Sequence, residues 1–301
     1  MNNLIAPICL FVYNRPWHTK QTVEALLKND LASETDLIIF SDGAKTNKDM
    51  LIVDEVRAFI NTIKGFKSIS INNSNSNKGL AKSIILGVTK VISEYGKIIV
   101  LEDDIVTSPY FLRYMNEGLN IYENNEDIAS IHGYVYPIAD LPETFFLRGA
   151  DCWGWATWTQ SWSIFEPNGT EILKKVKEQK LETEIDFNNS TKYIKMLKDQ
   201  IKGKNDSWAI RWHLSAFLNN KLALYPGKSF VNNIGNDYSG QHSRATNIFD
   251  SIMCESYTGL KKIQAVENLD AKTKFEDYFI KSRTSFFMKV FNHLLNKLRI
   301  K

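Results

Sequence analysis

The sequence predicts an α/β protein with a mostly parallel, doubly wound, Rossmann-like central sheet, and three observations carry that reading. Strand-like and helix-like stretches alternate through the first hundred residues. The apolar strand runs are short and nearly continuous, as in strands covered on both faces. Three of them end in compact polar turns, Asn14-Arg15-Pro16, Ser41-Asp42-Gly43 and Glu102-Asp103-Asp104. With right-handed crossovers such turns line one crevice outside the carboxyl ends of the strands, where α/β sheets bind ligands.

The elements follow in order. Pro7 to Tyr13 is an apolar strand, and Thr19 to Lys28 carries Val23, Leu26 and Leu27 at helical spacing. Asp36 to Phe40 is the second strand. Met50 to Ile63 reads as a helix through Ile52, Val53, Val56, Phe59, Ile60 and Ile63. Lys67 to Ile71 is a short alternating strand, and Leu80 to Tyr95 is the next helix. Ile98 to Leu101 is a strand that ends in the three carboxylates. Ser108-Pro109 after them has the form of a helix start.

Composition bounds the function. The 301 residues, 44% hydrophobic and 24% charged, suit one large core or two modest ones. A formal charge of +3 argues against nucleic acid as a partner of the whole surface. No run of about 18 apolar residues occurs, and Met1-Asn2-Asn3 does not begin a basic-then-apolar leader. A cytoplasmic chain that neither spans a membrane nor is exported is the expectation. Cys9, Cys152 and Cys254 are widely spaced and form no CxxC pattern, as suits small buried side chains in a reducing compartment.

Each turn has a plain chemistry. Arg15 is a planar fork for a phosphate or a base carbonyl, or else a surface ion pair. Asp42 accepts hydrogen bonds, either from a ribose or base or from its own turn. The carboxylates of Glu102, Asp103 and Asp104 repel one another unless a cation or protons compensate, and their hard oxygens suit Mg²⁺ or Mn²⁺; the plainer alternative is a solvated acidic cap. Jointly the three turns favour a nucleotide-diphosphate site. Neither GxGxxG nor GxxxxGK[ST] is present.

These residues carry a resemblance. Phe11-Val12-Tyr13-Asn14-Arg15-Pro16, Ser41-Asp42-Gly43, Asn77-Lys78-Gly79-Leu80 and Leu101-Glu102-Asp103-Asp104 look like the donor half of GT-A nucleotide-sugar glycosyltransferases. They are closest to the branch of N-acetylglucosaminyltransferase I and bacterial surface-polysaccharide transferases of the family 2 type. The resemblance covers roughly residues 5 to 245. It implies a UDP-sugar donor whose diphosphate is bridged by Mn²⁺ or Mg²⁺ to Asp104, with Arg15, Asp42, Lys78 and Asp103 around the donor. It further implies a glycan or lipid-linked saccharide as acceptor. On this reading residues 1–130 form the donor half, 131–260 an acceptor and catalytic half, and 261–301 a basic helical tail.

In the second half, Ile128 to His132 is a strand and Tyr134 to Phe146 reads as a loop. Arg148 to Trp158 concentrates tryptophan and glycine. Trp153, Trp155 and Trp158 suit either sugar stacking or a core, and the segment resembles the acceptor-side Gly-Trp-Gly-Trp region of bacterial transferases. Ile172 to Leu181 and Tyr193 to Ile201 are lysine-rich helices. Asp206 stands where a helix cap would stand. The stretch Asn205 to Trp212 also resembles the segment that supplies the family's general base for inverting transfer. There the register places Ser207 at the base position, so Asp151 is the reserve candidate. Lys221 to Tyr225 and Ser229 to Asn233 read as a hairpin around Pro226-Gly227. The polar stretch Gly235 to Ser243 resembles the loop that closes over the donor diphosphate, with His242 as a candidate metal ligand or a solvated side chain.

From Tyr278 to Lys301 six basic residues and no acid interleave with Phe286, Phe287, Val290, Phe291, Leu294, Leu295 and Leu298. Such a helix reads as a peripheral anchor on the inner membrane surface, or as a helix docked on its own domain. Two further readings stand beside the transferase. A sugar nucleotidyltransferase would carry a Gly-rich basic signature after Tyr13, and a non-catalytic glycan-binding module would not need Arg15, Asp42 and Asp104 in one crevice.

Overall fold

The structure, a computed structural model, describes residues 5–237 and 248–282. Its strands are β1 (Ile8–Val12), β2 (Asp36–Ser41), β3 (Ser68–Asn73), β4 (Lys97–Glu102) and β5 (Ile105–Thr107). They continue with β6 (Ile128–His132), β7 (Thr144–Arg148), β8 (Trp155–Trp158), β9 (Leu222–Pro226) and β10 (Val231–Asn233). Eight of them form one sheet in the order β3-β2-β1-β4-β8-β6-β9-β7. β3, β2, β1 and β4 are parallel, with Phe11 of β1 opposite both Phe40 and Glu102. β8 runs antiparallel to β4 and β6, β9 parallel to β6, and β7 antiparallel to β9. The α/β class with six of eight strands pointing one way agrees with the sequence reading.

The crossovers explain the parallel half. Helices Pro16–Leu26, Met50–Ile60 and Leu80–Tyr95 join its strands. In the last, Ala81, Ile84, Val88, Val91 and Ile92 fall on one face and are buried against the sheet. It stops at Gly96, whose left-handed φ of 78° lets its N–H reach the Ile92 carbonyl. Burial on both faces leaves β1 and most of β4 fully apolar.

The second half departs from the sequence in identifiable ways. The Tyr134–Phe146 stretch is not wholly loop, because Phe145, Phe146 and Leu147 are buried in β7. The expected hairpin is absent: β9 inserts between β6 and β7, while β10 leaves the sheet to pair antiparallel with β5. Gly227 does turn the chain, donating its N–H to the Glu143 carbonyl, and the turn redirects β10 instead of folding it back. The helix after the acidic turn is Phe111–Ile121 and starts two residues later than Ser108-Pro109 suggested. β8 of the second half stands beside β4 of the first, so the sheet runs unbroken across residue 130.

Trp155 and Trp158 are core residues, 0% and 2% exposed. The Trp155 ring lies 5.5–5.8 Å from those of Trp162, Trp208 and Trp212, which ties the sheet to the helix Trp208–Leu218. Trp155→Ala should therefore lower the unfolding free energy by about 3–5 kcal/mol in urea titration; a loss under about 1 kcal/mol would contradict this packing. Cys9 and Cys254 are buried, Cys152 is half-buried, and all three are free thiols. Residues 269–282 form a helix whose Phe275 packs on Phe145 and Tyr225 at the β7 edge. The basic stretch beyond residue 282 lies outside the described residues, and among those described no helix is long and apolar enough to cross a membrane.

Candidate active site

Parallel pairing of β1 with β4 sets the turns after them side by side. Arg15 precedes Pro16, the first residue of its helix, where the fixed φ and missing N–H of proline cost nothing. Its Nη1 lies 2.5 Å from Asp104 Oδ2 and 3.7 Å from Asp103 Oδ1. The Tyr13 N–H donates to Asp103 Oδ2 (3.2 Å) and the Thr22 hydroxyl to the Asp103 carbonyl (2.8 Å). A third strand closes this pair from above. Just past β10, the Ile234 N–H donates to the Asp104 carbonyl (2.9 Å), and Arg15 Nη2 donates to the Gly235 carbonyl (3.3 Å). A Cβ on Gly235 would stand 2.1 Å from Asp104 Oδ2 and 2.8 Å from Arg15 Nη2, so any other residue would push this ion pair aside. Asp237 reaches buried His18 (Nε2, 3.1 Å).

The electrostatics record a surplus of negative charge. Burial, then Asp104 and Asp103, push Glu102 up to about 8; burial, then Asp104, push Asp103 up to about 7. Burial opposes the charge on Arg15, but Asp104 and Asp103 outweigh it and hold the guanidinium above its ordinary range. Three carboxylates facing one guanidinium leave two negative charges uncompensated when all are ionised. That surplus and the all-oxygen donor set fit a divalent cation of the Mg²⁺ or Mn²⁺ kind, which characteristically takes one or two protein carboxylates and completes its shell with waters and phosphates. Among the described residues no group of three His, Cys, Asp or Glu is placed to hold a metal by itself. Asp104, with Asp103 beside it, is the residue that could hold such an ion, provided that Arg15 Nη1, now on its Oδ2, moved aside. His242 lies outside the described residues.

A stability prediction follows from these carboxyls. Both hold their protons more tightly in the folded chain than in the unfolded one, so the stability they confer is complete at acid pH and is lost as pH rises through 7 and 8. Without divalent cation the melting temperature should fall between about pH 6.5 and about pH 8.5, and saturating Mn²⁺ should flatten that fall. A rising profile would contradict the assignment.

Asp42 and Lys78 meet, but through the backbone. The Asp42 carboxylate accepts the N–H groups of Gly43, Lys78 and Gly79 (each 2.9 Å) and the Asn77 side-chain amide (3.2 Å). It thereby holds the turn that leads into the helix Leu80–Tyr95, at whose N-terminus a negative charge is favoured. The acceptor capacity read for a ribose or base is thus taken up within the fold, and the Lys78 ammonium side chain is exposed. Arg57, which the sequence reading missed, ties the same wall together: it donates to Ser41 Oγ and to the carbonyls of Asp42 and Ser74. As one arginine on an amphipathic helix, it gave no signal.

Asp151 sits deeper. Its N–H donates to His132 Nε2 (2.7 Å), its Oδ1 accepts the Cys152 N–H (2.8 Å), and burial pushes its carboxyl up to about 6. His132 and His213 are pushed down by burial, to about 3 and about 4, and are neutral. His213 Nδ1 holds the Ala150 carbonyl at 2.7 Å. Gly149, with φ +104°, leaves room for this ring, which would lie 2.5 Å from a Cβ. The two histidines therefore fix residues 149–152; each is a single His within an apolar element, a pattern that does not distinguish such a clamp. The Cys152 thiol next to Asp151 is raised first by burial and then by Asp151, Glu102 and Asp104.

Asp206 is not the helix cap. Ser207 fills that position, its Oγ accepting the Ile210 N–H at 3.2 Å. Asp206 is exposed, 3.4 Å from Arg211 Nη2, and its Oδ2 overhangs Gly79, 3.9 Å from the place of a Cβ. Trp208, two residues on, hydrogen-bonds Glu102. Trp153 is half-buried, edge-on to Tyr134 (4.7 Å) and Phe249 (5.8 Å) on the same rim.

No family model matches the chain, and no curated protein sequence does. Among solved structures it is similar to mannosyltransferase PcManGT from Pyrobaculum calidifontis, determined with GDP-Man and Mn2+, at 11% identity and a TM-score of 0.33. That match covers 46% of this chain and 38% of the other. It is also similar to S. aureus TarS at 12% identity and a TM-score of 0.40, over 75% of this chain and 36% of that one. The chain thus spans well under half the length of either structure, and the reading of the site rests on its own geometry.

Proposed function

We propose that the chain is a metal-dependent, inverting glycosyltransferase of GT-A type that moves a sugar from a UDP-linked donor to a hydroxyl of a bacterial surface glycan. The observation that supports this reading is the meeting, at the carboxyl ends of the parallel strands β1 and β4, of Arg15 with the over-charged Asp103-Asp104 turn. Asp104, beside Asp103, would hold the cation, which supplies charge neutralisation on the departing diphosphate. Arg15, released from Asp104, turns its fork to a phosphate. Asp42 and Arg57 keep the nucleoside wall in shape. Asp151, poised near neutrality, takes the proton of the acceptor hydroxyl as the sugar–oxygen bond forms. Asp206, at the mouth over Gly79, is the second candidate for that proton.

Calorimetric titration with UDP, with and without Mn²⁺, tests the donor site. Binding that requires the metal is expected, and a panel of UDP-sugars then identifies the donor. Failure to bind UDP, GDP, dTDP or CMP would leave the glycan-binding module as the better account. The basic, aromatic stretch after Tyr278 supports, by its sequence, a peripheral membrane contact. Removal of residues 283–301 should abolish sedimentation with anionic phospholipid vesicles and leave UDP binding intact; equal sedimentation of the shortened chain would refute the anchor.

A further inference from the structure

The exposed apolar side chains of the parallel half gather at one edge. β1, β2, β3 and β4 run parallel, so the turns after them and the first turns of the helices Pro16–Leu26, Met50–Ile60 and Leu80–Tyr95 all stand at the carboxyl edge that carries Asp104. On that edge Leu51 is 81% and Trp17 58% exposed, and Met50, Ile52 and Leu80 are exposed with them. At the opposite ends of the same helices only Leu27 and Tyr95 are exposed among large apolar residues. Hydrogen bonds stitch the rim into one unit. The Lys45 N–H donates to the Tyr13 hydroxyl (2.9 Å), the Asn14 amide to Asp49 (3.4 Å) and the Asn77 amide to the Gly43 carbonyl (2.8 Å). Positive charge collects on the same rim. Lys45, Lys48, Lys78 and Lys82 are exposed and make no ion pair among the described residues. The acids of these turns, Asp42 and Asp49, are instead taken up by donors of the turns themselves.

We infer that this rim is a docking face for an anionic phospholipid bilayer, with Trp17 and Leu51 entering the headgroup region and the lysines meeting lipid phosphates. Apolar residues scattered singly over a surface are ordinary, whereas several on one edge, ringed by unpaired cations, mark an interaction face. Both halves of that chemistry fit a charged membrane surface. Tryptophan settles where an apolar body meets a polar boundary, and lysines near the surface are drawn to anionic lipids. The other occupants fit one half only. Two-fold pairing of two copies would set these lysines against one another, and an acidic polymer would match the lysines but leave Leu51 in water. The face belongs to the folded first half and is distinct from the stretch after Tyr278. It adds to that anchor instead of replacing it, since stable peripheral attachment takes two signals. Its effect is orientation: with the carboxyl edge against the bilayer, the crevice above Asp104 opens toward the lipid. The use of that orientation for transfer rests on the reading above; the contact itself does not.

The test uses the full chain with vesicles of phosphatidylglycerol and phosphatidylcholine, made with and without brominated acyl chains, which quench tryptophan at the bilayer. Trp17 is the reporter, because Trp155, Trp158, Trp162, Trp208 and Trp212 are buried, and Trp17→Phe supplies the background. The unaltered chain should sediment with the vesicles and be quenched, and Trp17→Phe should sediment but lose most of the quenching. A triple variant, Lys48→Glu with Leu51→Asp and Lys82→Glu, alters exposed positions only, with folding checked by thermal melting. Its vesicle binding should weaken by at least about tenfold. Sedimentation of the triple variant equal to that of the unaltered chain, or equal quenching in Trp17→Phe, would overturn the face and leave the stretch after Tyr278 as the sole anchor. Failure of the unaltered chain to sediment would overturn both. A dimer that the triple variant breaks, seen by sedimentation velocity without lipid, would overturn the face in favour of a second copy. A chain whose Trp17 is quenched but that binds no nucleotide would sink the transferase reading and keep the membrane face.

Discussion

Asp104→Asn should reduce sugar transfer by about 100- to 1,000-fold, the range seen when one preorganised electrostatic partner of a transition state is removed. The neutral amide keeps the shape of the side chain and its place beneath Gly235, but it lowers the charge of the acidic turn and weakens its hold on both a cation and Arg15. UDP binding in Mn²⁺ should fall towards its metal-free value, measured by calorimetry, and the melting temperature reports that the fold survives. Arg15→Ala should differ in kind. It removes a phosphate contact but leaves the carboxylates facing one another with no cation of their own, so its melting temperature without divalent ion should drop and recover on adding Mn²⁺. A variant Asp104→Asn with undiminished metal-dependent UDP binding would remove Asp104 from the metal site.

The second large effect concerns the proton. Asp151→Asn should lower kcat by about 100- to 10,000-fold with little change in donor binding, the expected loss for a general base. In the unaltered chain, kcat should rise with pH through about 6, because the base works only when ionised and burial lifts the Asp151 carboxyl to that value. Asp206→Asn is expected to cost less than about tenfold: its carboxylate is exposed, paired with Arg211, and lacks the desolvated setting that tunes a base. A larger loss from Asp206→Asn than from Asp151→Asn, with the pH profile otherwise retained, would transfer the role to Asp206.

The parallel half was largely legible from sequence because each element there is specified locally. β1 and β4 are unbroken apolar runs closed by polar turns, and neighbouring strands follow one another in the chain with a helix between them. That logic was enough to bring Arg15 to Asp104. The second half obeys non-local choices. Nothing within Leu222–Pro226 says that it will lie between β6 and β7, and nothing near Val231 names β5 as its partner. The tryptophans were ambiguous because aromatic side chains serve cores and sugar sites equally; only the packing of Trp155 among Trp162, Trp208 and Trp212 decides for the core. Asp42 was marked as an acceptor for a ribose or base or as a turn residue, and its partners within the fold are the amides of residues 43, 78 and 79, contacts that composition does not reveal. The clamp of His132 and His213 on residues 149–152 is a purely spatial arrangement.

The hydrogen bond from Arg15 to Gly235 joins residues 220 positions apart. During synthesis the arginine and the acidic turn leave the ribosome early, whereas the glycine that covers them arrives only when most of the chain has been made. A nascent chain halted at any earlier point carries the carboxylates without their cover, and β4 without its neighbour β8 if it halts before residue 155. Competence for the proposed chemistry is therefore a property of late translation, and closing so long a loop makes its last step slow relative to the helices that precede it.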